Sequence, residues 1–466
     1  MNELFILMKS ELAITGIIFL LLFIKLRTEM KNSVLLLIIQ NLLLLNLAVG
    51  FFFNVGGSLF DGMFHTNEMM AFQKSILNLG VYLISLLFTG WFNKTQHLPE
   101  FFILILSALL GLDLLISSGN FLIFFLALEL ATIPLAAMAN FDLEKKISSE
   151  AAMKMILSSA FSSGILLFGI SLIYGATGTI NFSELPATLD GNPLQILAFV
   201  FLITSFAFKL SIVPFHLWTA DVYEGAPIAA TSFLSVISKG AIAFVFISVL
   251  YKVFQPMHEA WYNMVMLLSI ITMIIGNLFA LRQQNIKRFL AFSSIAQVGF
   301  ILVGITGNST EGITSVVYFI LIYTFSNLAA FGVASAISYQ TGKEKIDDYK
   351  GFYKTNPLLS WIMALALFSL AGIPPTGGFF GKIFLLTAGA ANANYGFVLI
   401  AALNMIVSLY YYLRVIRSIF MDKNEHPIEK INVYPSTKFA LIICCTGIIF
   451  VGMLSWIYDY IQSLNL

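Results

Sequence analysis

The feature that most constrains this chain is a series of apolar runs, each about as long as a lipid bilayer is thick. A helix needs roughly 20 predominantly apolar residues to cross a bilayer. One run, at residues 357–391, is too long for one ordinary crossing, and we interpret it as one interrupted helix. The sequence therefore predicts an all-α membrane protein with about fourteen transmembrane spans. They lie at 12–27, 33–54, 72–92, 101–118, 120–140, 151–175, 194–215, 226–251, 261–281, 286–306, 313–340, 357–391, 396–418 and 438–458.

Composition agrees with this class and excludes others. Hydrophobic residues make up 59% of the 466 residues and charged residues only 11%, whereas soluble domains have about 45–50% and about 25%. A net charge of +1 gives no electrostatic reason to expect a nucleic-acid partner. The first run has neither a basic segment before it nor a small-residue cleavage site, so we expect a retained helix rather than a signal peptide.

Basic residues predict how the spans face, because Lys and Arg accumulate in loops on the cytoplasmic side. With the N-terminus placed outside, the inner loops hold 18 of the 25 Lys and Arg residues. The outer segments hold only Lys9, Lys74 and Lys252. This asymmetry predicts that both termini lie on the outer side.

Two spans share an unusual interruption. Residues 206–216 and 370–382 each combine an apolar helix with Pro or Gly and a nearby lysine. They fall on spans 7 and 12, the fourth member of two five-helix blocks, spans 4–8 and 9–13. A five-helix unit repeated in tandem must enter the membrane with opposite orientation, and broken helices in such inverted repeats mark transport sites. The alternative is that Pro and Gly only kink two helices.

This pattern predicts a single polytopic membrane domain over residues 1–466. Within it, 1–100 would hold helices 1–3, 101–251 the first repeat, 261–418 the second repeat, and 438–458 helix 14.

Five charged residues lie inside predicted spans. Glu129 is near the middle of span 5, Lys154 is just inside span 6, and Lys209, Lys239 and Lys382 lie in spans 7, 8 and 12. A charge at the bilayer centre costs about 2.5–3.5 kcal/mol on insertion scales, so each must pair or reach water. Burial disfavours a charged lysine and a nearby carboxylate favours it, so a lysine in that balance can exchange a proton. We interpret these residues as a proton relay, with Glu129 holding the charge of Lys209 or Lys154. The alternative is structural ion pairs between helices.

Other polar residues carry less weight. His216 follows the break in span 7 and could connect Lys209 to Lys239, or it could be a hydrogen-bonded packing residue. Tyr410, Tyr411 and Tyr412 predict an aromatic belt at the membrane interface. We expect ordinary solvated acids at Asp221 and Glu224, and Asp113 is given little weight.

No cofactor site is predicted in this chain. The two cysteines, Cys444 and Cys445, are adjacent, which disfavours a disulfide, and they are too few for an iron–sulfur cluster. The five histidines show no metal-ligand spacing, and neither a Walker loop nor a G-x-G-x-x-G loop occurs.

Several motifs resemble those of the antiporter-like subunits of respiratory complex I and of Mrp-type cation/proton antiporters. They are FHLWTADVYEGAP at 215–227, LEL at 128–130, KRFLAFSSI at 287–295 and GIPP at 372–375. The resemblance covers roughly residues 100–420. Residues 150–154 and 160–178, and a lysine at 382 where a sister subunit typically carries glutamate, resemble one complex I subunit more than Mrp subunits. Gln297 departs from the family, since many members have histidine there. Ala220 and Phe292 replace a common proline and a common tyrosine.

The resemblance implies a role for each buried charge. Glu129 and Lys209 would be the coupling pair, Lys239 the central relay, and Lys382 the residue that exchanges protons with the far side. It also implies NADH–quinone oxidoreduction by the whole complex, with FMN and iron–sulfur clusters in other subunits and quinone as substrate. The implied neighbours are the antiporter-like subunit M and the small subunits K and J, in a bacterial inner membrane.

Two other functions remain open at this stage. One is an Mrp-type antiporter subunit with no redox partner. The other is a scaffold that contributes only buried surface to a membrane assembly, in which case replacing Lys209 or Glu129 would leave pumping intact.

Overall fold

The chain folds into a bundle of long helices. The computed structural model describes residues 2–27, 30–52 and 55–464. Its α-helices are α1 (Asn2–Leu7), α2 (Lys9–Arg27), α3 (Asn32–Phe51), α4 (Glu68–Leu87), α5 (Thr89–Lys94), α6 (Leu98–Ile116), α7 (Phe121–Ala139), α8 (Lys146–Thr177), α9 (Leu185–Thr188), α10 (Pro193–Leu210), α11 (Leu217–Gly225), α12 (Ile228–Ser232), α13 (Lys239–Lys252), α14 (His258–Arg282), α15 (Ile286–Ile305), α16 (Thr310–Thr341), α17 (Phe352–Thr355), α18 (Pro357–Ala371), α19 (Gly377–Gly389), α20 (Tyr395–Phe420), α21 (Pro435–Met453) and α22 (Trp456–Ser463).

Short segments of other structure connect or extend these helices. A π-helix at Phe233–Ser238 joins α12 to α13, and 3-10 turns lie at Gln255–Met257, Ile346–Tyr349 and Ala390–Asn392. Two strands, β1 (Gly57–Leu59) and β2 (Phe64–Thr66), form an antiparallel hairpin with Ser58 opposite His65.

The predicted all-α membrane class is confirmed. Twelve helical segments of the described chain are long and apolar enough to cross a membrane. The first predicted span is occupied by α2, which carries four charged residues, and the twelfth by the two short helices α18 and α19. Residues 53 and 54 of the second predicted span lie outside the described residues. The count of fourteen, the inverted repeat and the domain division stay predictions.

Both interrupted spans are broken in the same way, by a left-handed residue followed by a proline. After α10 the chain takes a left-handed conformation at Ser211 (φ 63°), and after α18 it does so at Gly372 (φ 87°). A proline follows each of these residues within three positions. A left-handed residue ends a helix and proline lacks the N–H needed to continue one, so each span becomes two shorter helices.

Burial distinguishes central from peripheral helices. The membrane-spanning window of α16 is fully buried, and those of α15 and of the segment Ile228–Lys252 are 94% and 89% buried. By contrast, Phe19 and Phe23 of α2 and Phe161 of α8 are exposed. Exposed apolar side chains on long outer helices are what a lipid-facing surface requires.

Two long helices resemble each other across the halves of the chain. Each of α8 and α16 has 32 residues, and each ends at a left-handed glycine, Gly178 and Gly342. These helices occupy the sixth and eleventh predicted spans, the third position of each five-helix block. The correspondence agrees with the predicted repeat.

Gly119 permits a close approach between the α6–α7 connection and the β1–β2 hairpin. Its N–H donates to the Met63 carbonyl at 2.8 Å. A Cβ at this position would lie 1.8 Å from the Gly62 carbonyl oxygen. Only a residue without a side chain therefore fits here.

We expect Gly119→Ala to destabilise the protein by about 1–3 kcal/mol, because overpacking forces the backbone to shift. Thermal unfolding of the purified membrane assembly would show a lower midpoint. Gly164→Ala is the matched control, since nothing lies within 4 Å of a Cβ there. Equal midpoints for the two variants would contradict the predicted clash.

Candidate functional site

Lys209 lies in the last turn of α10, just before the break. Its Nζ donates to Thr132 Oγ1 of α7 and to Ser159 Oγ of α8, both at 2.7 Å. The same three side chains line a cavity of about 20 Å³, together with Ser238 at the end of the π-helix. A cavity of this size has room for about one water. The ammonium group is thus held by neutral hydroxyl oxygens beside a water-sized space.

Glu129 lies on α7, three residues before Thr132, and its side chain is partly buried. The hydroxyl of Ser163 on α8 donates to Glu129 Oε1. Ser159, which contacts Lys209, lies four residues before Ser163 and therefore on the same face of α8. Glu129 and Lys209 thus contact serines that lie one turn apart on the same helix. Within the described residues no ion pair within 4 Å includes Glu129, so the expected pairing with Lys209 or Lys154 is not direct.

Lys239 is the first residue of α13 and is 3% exposed. Its Nζ donates to Ser294 Oγ of α15 at 2.9 Å and lies 5.5 Å from the centre of the Tyr223 ring. The π-helix Phe233–Ser238 ends immediately before it. Such bulges occur frequently at functional sites, because they shift which face of a helix a side chain occupies.

Lys382 lies in α19 and is fully buried. Its Nζ donates to the carbonyl oxygens of Leu370 at 2.7 Å and of Ala371 at 3.2 Å. These are carbonyls at the C-terminal end of α18, where the helix dipole favours a positive charge. The Phe300 ring, centred 4.7 Å from Nζ, favours the cation further.

Gln297 links this carbonyl end to α20. Its Nε2 donates to the Leu370 carbonyl at 2.8 Å and to Tyr412 Oη at 2.9 Å, and Tyr412 contacts Ser293 at 2.5 Å. Gln297 Oε1 is buried without a protein partner. An amide neither gains nor loses a proton near neutral pH, so Gln297 can only position its neighbours. A hydrogen-bonded chain through Gln297 thus occupies the position at which the family resemblance implies histidine.

The interpretation of Tyr411 and Tyr412 as an interfacial belt is wrong. Both are fully buried, whereas Tyr410 is 67% exposed. Tyr411 Oη donates to Asn277 Oδ1 at 3.1 Å, and Tyr412 belongs to the Gln297 chain. A run of three tyrosines in a helix covers about 200° of its circumference, so the run spans both lipid and core.

His216 is buried at the start of α11, but the described structure contains no hydrogen bond from it to either lysine. Its Nδ1 has no partner, and its ring packs edge-on against Phe279 at 6.4 Å. A direct connection from Lys209 to Lys239 through His216 is therefore absent, and packing is what the geometry supports.

Lys154 belongs to an ion-pair network at the predicted inner side. Its Nζ lies 2.6 Å from Asp221 and 2.8 Å from Glu150, and its side chain is 41% exposed. Arg288 completes the network, at 2.8 Å from Asp221 and 2.7 Å from Glu224. The two acids expected to be ordinary solvated groups are therefore paired, and Lys154 lies apart from Glu129.

Sequence reasoning missed the hydroxyl partners of the lysines and one buried cluster. Ser159 and Ser163 belong to the pattern SSAFSS in α8, and this repeated polar spacing in an apolar helix was the available signal. The cluster comprises Glu11, Lys74 and Asp113 on α2, α4 and α6. Lys74 had been assigned to an outer segment, but it lies within α4 and is 4% exposed.

Comparisons with known proteins agree on one family. The family described as NADH:quinone oxidoreductase/Mrp antiporter, TM, matches residues 118–408. Subunit N of NADH-quinone oxidoreductase from Phocaeicola vulgatus is 48% identical over 410 residues, which are 87% of this chain and 87% of that protein. A chain of respiratory complex I from Thermus thermophilus is 26% identical with a TM-score of 0.82, over 96% of this chain and 97% of that one.

A chain of the Mrp complex from a Dietzia species has a TM-score of 0.87 at 18% identity, over 98% of this chain and 96% of that one. At this identity the likeness shows the fold alone. The chain belongs to the NADH:quinone oxidoreductase/Mrp antiporter family of membrane proteins. Within that family, its resemblance to subunit N of NADH-quinone oxidoreductase is confirmed.

We expect Ser159→Ala to lower stability by about 1–3 kcal/mol, because it removes an acceptor from a buried ammonium group. Thermal unfolding of the purified assembly would measure the loss. Ser158→Ala is the matched control, because the Ser158 hydroxyl donates only within its own helix, to the Lys154 carbonyl at 2.5 Å. A larger loss in Ser158→Ala would contradict the assignment.

Proposed function

We propose that this chain is a proton-translocating membrane-arm subunit of NADH–quinone oxidoreductase and that Glu129, Lys209, Lys239 and Lys382 form its proton relay. The observation that carries the relay is that three lysines lie inside the bundle with no carboxylate within 4 Å among the described residues. Each is held by neutral oxygens instead. Lysine cannot coordinate a metal cation while protonated, which favours H⁺ over Na⁺ as the transported ion.

Hydroxyl partners suit a lysine that changes its protonation state. A serine or threonine hydroxyl accepts a hydrogen bond from an ammonium and can rotate to donate one to a neutral amine. Lys209 and Lys239 are therefore accommodated in both states without a rearrangement of the helices. A carboxylate in direct contact would instead favour the charged form of the lysine.

Lys382 differs because carbonyl oxygens only accept. The Leu370 and Ala371 carbonyls stabilise the ammonium form, and a neutral amine can still donate N–H groups to them, but they supply no donor to the lone pair of the neutral amine. This asymmetry distinguishes Lys382 from Lys209 and Lys239 within the proposed relay.

The hydrogen bonds suggest a route between the lysines. The cavity beside Lys209 reaches Ser238, the residue before Lys239. Lys239 contacts Ser294, and the adjacent Ser293 begins the chain through Tyr412 and Gln297 to the carbonyl that holds Lys382. Water molecules would bridge the gaps between these hydrogen-bonded segments. Gln297 Oε1, which has no hydrogen-bond partner among the described residues, could accept a hydrogen bond from one of them.

Redox chemistry belongs to partner subunits in this proposal. FMN and iron–sulfur clusters would carry electrons from NADH to quinone elsewhere in the complex. Antiporter-like subunit M and the small subunits K and J would be the neighbours of this chain within the bilayer. His216 and Lys154 would act as structural residues, given the contacts described above.

The chain would lie in a bacterial inner membrane with both termini on the periplasmic side, as one polytopic domain over residues 1–466. Its two five-helix repeats would be inverted. The matched breaks at Ser211 and Gly372, and the equal lengths of α8 and α16, support the repeat.

We expect Lys209→Ala to abolish or greatly reduce proton translocation by the assembled complex, because the relay loses its first exchangeable amine. Inverted membrane vesicles energised with NADH would report translocation by a pH-sensitive dye, with quinone reduction measured in parallel. Exposed Lys430 provides the control Lys430→Ala.

Full proton translocation by Lys209→Ala in an assembled complex would overturn the relay and favour the scaffold function. An isolated assembly with cation-driven proton flux but no NADH–quinone activity would favour the Mrp-type function.

The predicted orientation has its own test. We expect Ala187→Cys, in the short helix α9 between α8 and α10, to react with a membrane-impermeant maleimide only from the periplasmic side. Lys423→Cys, after α20, should react only from the cytoplasmic side. Both positions are exposed, and Cys444 and Cys445 would first be replaced by serine. Reversed labelling in spheroplasts and inverted vesicles would contradict the orientation.

A further inference from the structure

Three ionisable side chains are buried together at one edge of the bundle, on helices that the relay does not use. Glu11 of α2 is 2% exposed, Lys74 of α4 is 4% exposed and Asp113 of α6 is fully buried. Lys74 Nζ and Glu11 Oε1 form an ion pair. Ser10 Oγ donates to Asp113 Oδ2 at 2.9 Å, and Asn78 Nδ2 donates to Ser10 Oγ at 3.3 Å.

The cluster has one more acid than base, and its hydrogen bonding is incomplete. Glu11 Oε2 and Asp113 Oδ1 are both buried without a hydrogen-bond partner among the residues that the structure describes. Asp113 accepts a hydrogen bond from Ser10 but forms no ion pair within 4 Å among the described residues. A buried carboxylate without a paired cation is costly, and the usual outcome is that the group takes up a proton. With one proton bound, the three groups would be Glu11 carboxylate, Lys74 ammonium and Asp113 carboxylic acid, which sum to zero charge.

A large cavity is lined partly by α4 and α6, two of the helices that carry this cluster. It has a volume of about 610 Å³, and its lining comes from the β1–β2 hairpin, the α6–α7 connection, the segment before α9 and the end of α13. All of these segments are on the side predicted to be periplasmic. Polar residues at its wall include His65, Ser248 and Lys252.

The cavity wall and the cluster share two helix faces. Met70 lines the cavity four residues before Lys74, and Ile116 lines it three residues after Asp113. At 1.5 Å rise per residue these spacings correspond to about 6 and about 4.5 Å along the helix axes. Residues three and four apart lie on one helix face. The cavity therefore reaches α4 and α6 about one helical turn from Lys74 and Asp113.

We propose that Glu11, Lys74 and Asp113 form a second proton-binding site that exchanges one proton with water in this cavity. The role of this site, proton exchange with the outer compartment, depends on the proposed function. In the step, the Asp113 carboxylic acid gives H⁺ to a cavity water and becomes a carboxylate, and the Lys74 ammonium stabilises the negative charge that remains. Reloading is the reverse transfer.

The surrounding charges are compatible with this exchange. Lys9 lies on the same helix as Glu11, and Lys252 and His65 lie at the cavity. Burial, and the nearby Lys252, lower the pKa of His65 from its ordinary value, so at neutral pH its ring is neutral and adds no positive charge to the cavity wall. The described part of α3 contributes the neutral Asn46, whose amide donates to Asn78 Oδ1 at 2.6 Å.

Infrared titration of the whole purified complex in sealed proteoliposomes tests the site. With the cavity side facing the medium and the internal pH clamped, changing the external pH should alter a protonated-carboxyl band. We expect Asp113→Asn to lose this component and Asp113→Glu to shift it. Glu68→Gln, which changes an exposed acid on α4, should retain it.

An Asp113→Asn spectrum identical to that of the unchanged protein would overturn the proposal. So would an Asp113→Glu spectrum with no shift, which remains informative where the Asn variant does not assemble. Lys209→Ala separates this proposal from the relay, because it should lose translocation while keeping the carboxyl component. Retained translocation in Lys209→Ala with the carboxyl component present would instead overturn the relay alone.

Discussion

The rest of the site depends on how the fold holds three ammonium groups inside a low-dielectric helix bundle. Each such charge costs about 2.5–3.5 kcal/mol at the bilayer centre, and no carboxylate lies within 4 Å of Lys209, Lys239 or Lys382 among the described residues. Neutral oxygens compensate instead. Two sets are hydroxyls of neighbouring helices, and the third is the carbonyl end of a broken helix. These oxygens lower the cost of burying an ammonium group without holding the lysine in its charged form. A group that gains and loses a proton needs both properties.

The broken helices give the two halves different chemistry. In the first half Lys209 precedes the break and reaches outward to Thr132 and Ser159. In the second half Lys382 follows the break and reaches back to carbonyls freed by it. One helix, α15, connects both halves, because Ser294 contacts Lys239 while Ser293 and Gln297 belong to the chain toward Lys382. The Glu11–Lys74–Asp113 cluster lies apart from this line, on helices that precede both predicted repeats.

Much of the fold was predictable because long apolar runs in a membrane protein have few alternatives to helix. The breaks were predictable from Pro and Gly, and the buried lysines from their position within apolar runs. The hydrogen-bond and ion-pair partners of the buried charged residues were not predictable. Lys154 was expected near Glu129, but it pairs with Asp221, 67 positions further along the chain. Tyr411 and Tyr412 were expected at the membrane interface, but they pack inside the helix bundle. The sequence does not distinguish the two positions, because lipid-facing and core-facing helix surfaces both have apolar neighbours.

By itself, the sequence determined the membrane class, the approximate helix positions, the two interruptions and the residues that would be costly to bury. Family resemblance added the relay roles, and the comparisons confirmed the family. Only the tertiary structure decided which oxygens hold each ammonium group, that Glu129 meets Lys209 through serines of α8, and that Lys74 is buried beside Glu11 and Asp113. The reason is physical. Helix formation and membrane insertion depend on local composition, whereas hydrogen bonds between helices join residues up to hundreds of positions apart. Their partners follow from packing, which no local pattern encodes.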